Sequence, residues 1–122
     1  MRYLKDKKII LYRAQRSKDS AGFSTAKYIP IHAGRLWAYV RQLSASEFYA
    51  ARAVQQTEEM LFAINWRDDV SAVDCYIEYR GVFYNITRVD TYEGYKEDLK
   101  VYAARLPAAG QPKQGDISEW QG

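Results

Sequence analysis

The strongest constraint on the fold is a period of two in the placement of apolar residues, broken once along the chain. One set of apolar residues, Leu36, Ala38 and Val40, repeats at every second position, as in a half-buried strand. The alternation stops at Ser44, resumes near Gln56 and continues through short segments to Arg105. This pattern predicts an all-β domain interrupted by one long connection, and such connections are where binding and other functions concentrate.

The alternating segments predict five or six antiparallel strands and no long helix. The clearest pair flanks Gly81, which supplies the backbone freedom that a tight hairpin turn requires. The stretch around Pro30 is extended, but proline cannot donate to a strand ladder, so we assign it to an edge or a connection. A small antiparallel β-barrel or sandwich is expected, because closure removes exposed edges. The predicted strands are Lys8 to Arg13, Arg35 to Leu43, Thr57 to Trp66, Asp74 to Arg80, Val82 to Val89 and Leu99 to Arg105.

The connection between the second and third of these strands carries a helix-start signal. Ser44 is a suitable N-cap, and Glu47 stands at the capping-box position three residues later. One or two helical turns are therefore expected. Short helices are marginal in water, so this segment should be mobile without a packed partner.

The apolar pattern ends at Pro107, and Ala, Gly, Gln and Pro dominate the remaining residues. We therefore divide the chain into a barrel domain, residues 1–106, and a flexible tail, residues 107–122. Ile117 and Trp120 could dock the tail on a partner.

Length and composition predict one cytoplasmically made domain without a membrane segment. A chain of 122 residues buries roughly two-thirds of the surface that it exposes when unfolded. Cys75 is the single cysteine, so no internal disulfide is possible, and the first residues lack the apolar stretch of a signal peptide. No apolar run approaches the length of a membrane-spanning helix.

Charge is distributed unevenly along the chain. Residues 1–42 carry ten Lys or Arg against two Asp or Glu, a net charge of +8, whereas the remainder has a net charge of −5. A basic surface for nucleic acid, a solvated face without a partner, and head-to-tail packing of copies are all compatible with this asymmetry. The basic residues that could contact DNA or a neighbouring copy are Lys5, Lys7, Lys8, Arg13, Arg35 and Arg41.

The sequence offers no catalytic set, no metal site and no cofactor motif. His32 is the single histidine and Cys75 is expected to be a buried, inert thiol. One histidine and one cysteine cannot supply a zinc site, and the glycines do not form a phosphate-binding loop. The adjacent pairs Glu58-Glu59 and Asp68-Asp69 point to opposite sides of an extended chain. An enzyme is therefore the least favoured class.

An ordered set of segments resembles the head-tail joining proteins of long-tailed bacteriophages and prophages, also called head closure or stopper proteins. The resemblance covers roughly residues 5 to 105. Its segments are Leu36-Trp-Ala-Tyr-Val40, Ser44-Ala-Ser-Glu47 with Ala50-Ala51, the strand ending Ile64-Asn-Trp-Arg67, Tyr79-Arg-Gly-Val-Phe-Tyr84-Asn-Ile86, and Leu99-x-Val101.

The resemblance implies a small β-barrel with a long stopper loop between its second and third strands. Copies of such proteins form a ring beneath the portal and adaptor rings, retain the packaged genome and offer a docking surface for the tail. Glu47 and Arg52 would pair or cap within the loop, and Phe48 and Tyr49 would make apolar contacts between copies unless they cover the mouth of their own barrel. The implied loop contacts are Ser44, Glu47, Phe48, Tyr49, Arg52, Gln55 and Gln56.

The implied partners are further copies of the chain, the portal or adaptor protein, a tail-completion protein and double-stranded genomic DNA in the channel. The free chain would be a monomer, and the assembled one would lie at the head-tail interface of the virion after synthesis in the host cytoplasm. Two other functions stay open: a nucleic-acid-binding β-barrel, with the basic N-terminal third as its footprint, and a tail-completion protein at the same joint.

Overall fold

The structure is a computed structural model, and it describes residues 4–18, 24–32, 34–43, 59–91 and 98–119. Two short 3-10 turns, Ala108–Gly110 and Gln114–Asp116, follow the last strand. These described residues contain no α-helix. The strands, in chain order, are β1 (Lys7–Lys18), β2 (Ser24–Pro30), β3 (Leu36–Gln42), β4 (Met60–Asn65), β5 (Cys75–Tyr79), β6 (Val82–Thr91) and β7 (Asp98–Arg105).

Six of the seven strands close into a barrel. Antiparallel pairing runs in the order β1, β3, β4, β7, β6 and β5, and β5 pairs back to β1. Ile9 lies opposite Leu36 on one edge of β1, and Leu11 lies opposite Ile77 on the other. Closure leaves these strands without free edges, as expected for a small stable barrel. The predicted all-β, antiparallel barrel is confirmed.

Strand β1 is longer than the sequence predicts and continues past Arg13 to Lys18. Its residues from Tyr12 onward pair with β2, the one described strand outside the barrel. The last contact of β1 with the β5 side is the hydrogen bond from the Ala14 amide to the Asp74 carbonyl, at 2.8 Å. Beyond that point residues 14–18 and 24–28, here called the β1–β2 ribbon, pair with each other. Pro30 ends the outer strand, in agreement with the predicted edge position.

The barrel interior is filled by residues that alternate along each strand. Phe62 has no exposed surface, and its ring meets those of Tyr79 and Tyr84 edge-on at centroid distances of 5.9 and 5.5 Å. Complete burial of a side chain of this size stabilises the fold by about 1.5–3 kcal/mol relative to exposure. The buried core consists of Ile9, Leu11, Ala38, Phe62, Ile64, Cys75, Ile77, Ile86, Leu99, Val101 and Ala103.

The β5–β6 hairpin has the predicted turn at Arg80-Gly81. Both residues lie in the left-handed region, with φ of 54° and 79°, as a two-residue type I′ turn requires. The Gly81 amide donates to a carboxylate oxygen of Glu78 at 3.0 Å. The turn therefore fixes the register in which Tyr79 faces Val82.

A second apolar cluster lies on the outer face of the barrel, where β1, β5 and β6 are neighbours. Tyr12, Tyr76 and Phe83 are buried there, and Tyr28 and Ile117 pack against them. The Tyr12 and Phe83 rings are 5.0 Å apart, and burial raises the pKa of the Tyr12 phenol. This cluster joins the outer strand β2 and the C-terminal segment to the barrel.

The C-terminal segment, residues 106–119, lies against the barrel, whereas the flexibility expected from sequence for residues 107–122 stays a prediction. Ile117 forms an isolated parallel β-bridge with Tyr28, and the Ser118 amide donates to the Tyr28 carbonyl at 2.9 Å. The Gln111 side chain hydrogen-bonds both backbone groups of Phe83 and the Leu106 carbonyl. The Gln111 side chain thus takes the place of a neighbouring strand as the hydrogen-bond partner of these backbone groups. Because a polar side chain makes the contact, the sequence shows no apolar alternation there. Trp120 lies outside the described residues.

Candidate functional site

The long connection predicted between two strands begins and ends at directly paired residues of the barrel. Gln42, the last residue of β3, faces Met60, the first of β4. One step further out, the Leu43 amide donates to the Glu59 carbonyl at 2.9 Å. Two such strands need only a short turn between them. Residues 44–58 are therefore an insertion rooted at a closed, hydrogen-bonded base.

The predicted contact residues of that connection all lie outside the residues that the structure describes. Their helical turns, their mobility and their contacts between copies stay predictions. They are Ser44, Glu47, Phe48, Tyr49, Arg52, Gln55 and Gln56.

The basic N-terminal third becomes one contiguous side of the molecule. Strands β1, β2 and β3 contain no Asp or Glu, and β2, β1 and β3 are neighbours in the sheet. The sequence asymmetry in charge is thus a spatial asymmetry in the fold. Such a side attracts an anionic partner or the acidic side of another copy.

Two of the predicted contact lysines are held by carboxylates. Lys5 Nζ lies 2.8 Å from Asp98 Oδ1, with about a fifth of the Lys5 side chain exposed (21%). Lys7 Nζ lies 3.1 Å from Asp6 Oδ1, at a more exposed position. Lys5 therefore ties the N-terminal segment to the start of β7, and a partner would compete with an existing ion pair at both positions.

Lys8 and Trp37 face each other across β1 and β3 on the outside of the barrel. The ammonium lies 4.7 Å from the ring centroid, within the range of a cation–π contact, although Trp37 remains 56% exposed. Arg35 is exposed just before β3, and Arg41 is half-buried and has interactions of its own. Arg35 is accordingly exposed, as Lys8 and Arg13 are among the predicted basic contacts.

Arg13 is engaged with the connection between β4 and β5, which the sequence did not indicate. Its Nη2 donates to the Asp69 carbonyl at 2.7 Å, and its Nε lies 3.6 Å from Asp74 Oδ2. In the same connection Arg67 hydrogen-bonds the Asp69 carboxylate, which lowers the pKa of Asp69 and raises that of Arg67. This network positions the connection against β1. A contact at long sequence separation between side chains of opposite charge leaves no local signal in the sequence.

Among the described residues, no hydrogen bond joins Cys75 to His32. Cys75 has no exposed surface and lies in the core, and His32 lies in the bend between β2 and β3, with its buried Nδ1 lacking a hydrogen-bond partner in the described structure. Among the described residues no three His, Cys, Asp or Glu side chains are grouped so as to hold a metal ion. No helix in this part of the chain is both long and apolar enough to cross a bilayer.

An open groove separates the β5–β6 hairpin from the C-terminal segment, and the sequence did not predict it. Its apolar surface comes from both elements, and two carboxylates and one guanidinium lie along it. The principal lining residues are Glu59, Glu78, Phe83, Arg105, Leu106 and Ile117.

Comparison with solved structures shows the same fold in two chains. The solution structure of protein SF1141 from Shigella flexneri 2a matches with a TM-score of 0.61 and 20% identity, over 81% of this chain and 90% of that one. A chain in the virion of a native gene transfer agent particle matches with a TM-score of 0.55 and 14% identity, over 86% of this chain and 98% of that one. No curated protein matches significantly.

The sequence model of one protein family, described as phage head completion protein, matches residues 5–105. That family consists of structural components of the phage head and not of enzymes. Because the match covers most of the sequence and the predicted barrel is present, the chain belongs to the phage head completion protein family.

Proposed function

We propose that the chain closes the DNA exit of a filled phage head. Copies assemble as a ring beneath the portal or adaptor, the connections of residues 44–58 from neighbouring copies block the channel, and the outer side of the ring receives a tail-completion protein. The finished ring is part of the virion, at the head-tail interface. Family membership supports head completion, and a chain of a gene transfer agent virion has the same fold.

The observation that carries this proposal is the rooted insertion between β3 and β4. The base of the insertion consists of two paired positions, Gln42 with Met60 and Leu43 with Glu59, and backbone pairing in the closed barrel fixes it. A ring of such rigid barrels can therefore hold one insertion from each copy at the same radius. Ordering an insertion costs conformational entropy, and contacts with the insertions of neighbouring copies would offset that cost. Such contacts exist only when copies are adjacent in the ring. The blockade is mechanical and requires no chemistry.

Ring formation is supported by the separation of charge. A heterologous contact places different surfaces of two copies together, and a closed rotation then gives a ring. The side formed by β3 and by the barrel part of β1, residues 7–13, is basic, whereas the partly exposed Asp90 lies on β6, which pairs with neither of these strands. Such complementary sides favour head-to-tail association at a portal and, at low concentration, a free monomer.

The proposal is tested with DNA-filled, tailless capsids. Residues 45–55 are replaced by a short Gly-Ser link, and the purified variant is added in place of the natural chain. We expect the variant to melt within a few degrees of the natural protein and to bind the portal vertex, while the particles release DNA. Retention of DNA by these particles would refute the blocking role.

A finer version of the test uses apolar side chains. Phe48→Ala and Tyr49→Ala together should release DNA if the two rings contact neighbouring copies. The matched control is Val73→Ala, which truncates an apolar side chain that is 90% exposed in another connection. Equal DNA release by the control would show a general assembly defect.

A further inference from the structure

The β1–β2 ribbon extends beyond the barrel, where its two strands pair with each other. At its base the C-terminal segment adjoins Tyr28. Past Ala14, the described partners of β1 are residues of β2, with Gln15 opposite Lys27 and Arg16 opposite Ala26. A two-stranded ribbon by itself is marginally stable in water. A two-stranded ribbon outside a closed barrel is consistent with a surface that a partner covers.

The chemistry of the ribbon is cationic on both faces. Successive residues of a strand point to opposite sides, so Arg16 lies on one face and Lys27 on the other. Both side chains are exposed, and in the described part of the chain neither forms an ion pair. They differ in this respect from Lys5, Lys7 and Arg13, which already have carboxylate partners.

We propose that the β1–β2 ribbon binds the phosphate backbone of double-stranded DNA through Arg16 and Lys27. The major groove of B-DNA is about 12 Å wide and admits a two-stranded ribbon. Cations on both faces of such a ribbon reach phosphates along both walls of the groove. This inference deepens the proposed function, on which it rests only for the presence of genomic DNA near the ring.

Composition favours DNA over an acidic protein as the occupant. Apart from Tyr28, the ribbon consists of Ala, Gln, Arg, Ser, Thr and Lys. Protein interfaces depend on a buried central cluster of anchors, in which arginine occurs together with aromatic or apolar side chains. Tyr28 is already packed edge-on against Tyr76 at 5.1 Å, so it does not supply one. Phosphate binding needs only accessible cations, which the ribbon has.

The test measures binding of the purified full chain to a labelled DNA duplex by fluorescence anisotropy over a range of salt concentrations. The variant carries Arg16→Gln and Lys27→Gln. The matched control carries Arg80→Gln and Lys113→Gln, which remove the same charge from exposed positions outside β1, β2 and β3. Melting curves establish that all three proteins fold.

We expect the natural chain to bind in a salt-dependent manner. The ribbon variant should bind about tenfold more weakly at low salt, and the slope of log K against log salt should fall by about 0.9 for each lost phosphate contact. The control should stay within about twofold of the natural chain. Absence of duplex binding by the natural chain, an unchanged ribbon variant, or equal weakening in the control would each overturn the proposal.

Failure of this inference is distinguishable from failure of the proposed function. The free chain could fail to bind duplex DNA while capsids with the 45–55 replacement still release DNA. That result would overturn the ribbon proposal and leave the blocking role supported. Loss of ring formation, without loss of duplex binding, in the Arg16→Gln and Lys27→Gln variant would assign the ribbon to a neighbouring copy and also overturn it.

Discussion

Arg67 holds the Asp69 carboxylate by two parallel hydrogen bonds, from Nε to Oδ1 at 2.8 Å and from Nη2 to Oδ2 at 2.7 Å. Nη2 also donates to the carbonyl of Ile31 at 3.2 Å. Since Asp69 in turn accepts the bond from Arg13 through its own carbonyl, one guanidinium–carboxylate pair connects β1, the bend after β2 and the connection before β5.

This pair predicts a loss of stability in acid. The hydrogen bond from Arg67 lowers the pKa of Asp69 below its ordinary value of 3.8. The Asp69 carboxylate is therefore protonated less readily in the folded chain than in the unfolded chain. Stabilisation is therefore complete above the ordinary pKa and is lost as the pH falls through the lower, folded value. The free energy of unfolding, measured with denaturant at neutral pH and in acid, should fall less between the two conditions in Asp69→Asn than in the natural chain.

Asp68→Asn is the matched control, because it neutralises the neighbouring carboxylate, which is exposed. It should retain the acid sensitivity associated with Asp69. An Asp69→Asn variant with the same acid sensitivity as the natural chain would show that the pair contributes nothing to the pH dependence.

Core packing gives a second prediction. Phe62 is fully buried and contacts two further aromatic rings, so Phe62→Ala should lower the free energy of unfolding by about 3–5 kcal/mol. Val73→Ala, at a position that is 90% exposed, should change it by less than about 0.5 kcal/mol. Denaturant titration of both variants measures the difference, and a similar small effect of both would contradict the described core.

Sequence pattern was sufficient for the barrel because its strands have one buried face. Cys75 and Ile77 alternate with less apolar neighbours, and both lie in the core as predicted. Gly81 marked a turn that the backbone requires. Wherever burial on one face and turn chemistry decided the local structure, the secondary structure is visible in the sequence as a period of two.

Pattern failed where pairing occurs without a continuous buried face. The last part of β1, from Gln15 to Lys18, has polar side chains, and its strand character comes from backbone pairing with β2. The docking of the C-terminal segment depends on the amide group of Gln111, which no periodicity reveals. Similarly, the ion pair of Lys5 with Asp98 joins residues at opposite ends of the sequence. Such contacts follow from the closed topology and not from local sequence.

The hairpin turn gives a third prediction. Gly81 has a φ of 79°, and no heavy atom lies within 4 Å of the point that a Cβ would occupy, so Gly81→Ala is opposed by backbone strain and not by a clash. The left-handed conformation should reduce the free energy of unfolding by about 1–2 kcal/mol. Gly115→Ala is the control, since that position is equally open but lacks a left-handed φ. It should leave stability unchanged or raise it by up to about 1 kcal/mol. Equal losses in both variants would exclude the strain argument.

The C-terminal segment gives the last prediction, which separates a docked segment from a free tail. Gln111 Oε1 accepts the Phe83 amide at 2.9 Å, and Nε2 donates to the Phe83 and Leu106 carbonyls at 3.1 and 2.8 Å. Gln111→Ala should therefore accelerate hydrogen exchange at the Phe83 amide, and at the Ser118 amide if release of Gln111 frees the segment from Tyr28. Loss of these bonds should lower the free energy of unfolding by about 1 kcal/mol. Lys113→Ala, which truncates an exposed side chain of the same segment, should leave both amides protected. If the Phe83 and Ser118 amides already exchange freely in the natural chain, the segment is the flexible tail that the sequence predicts.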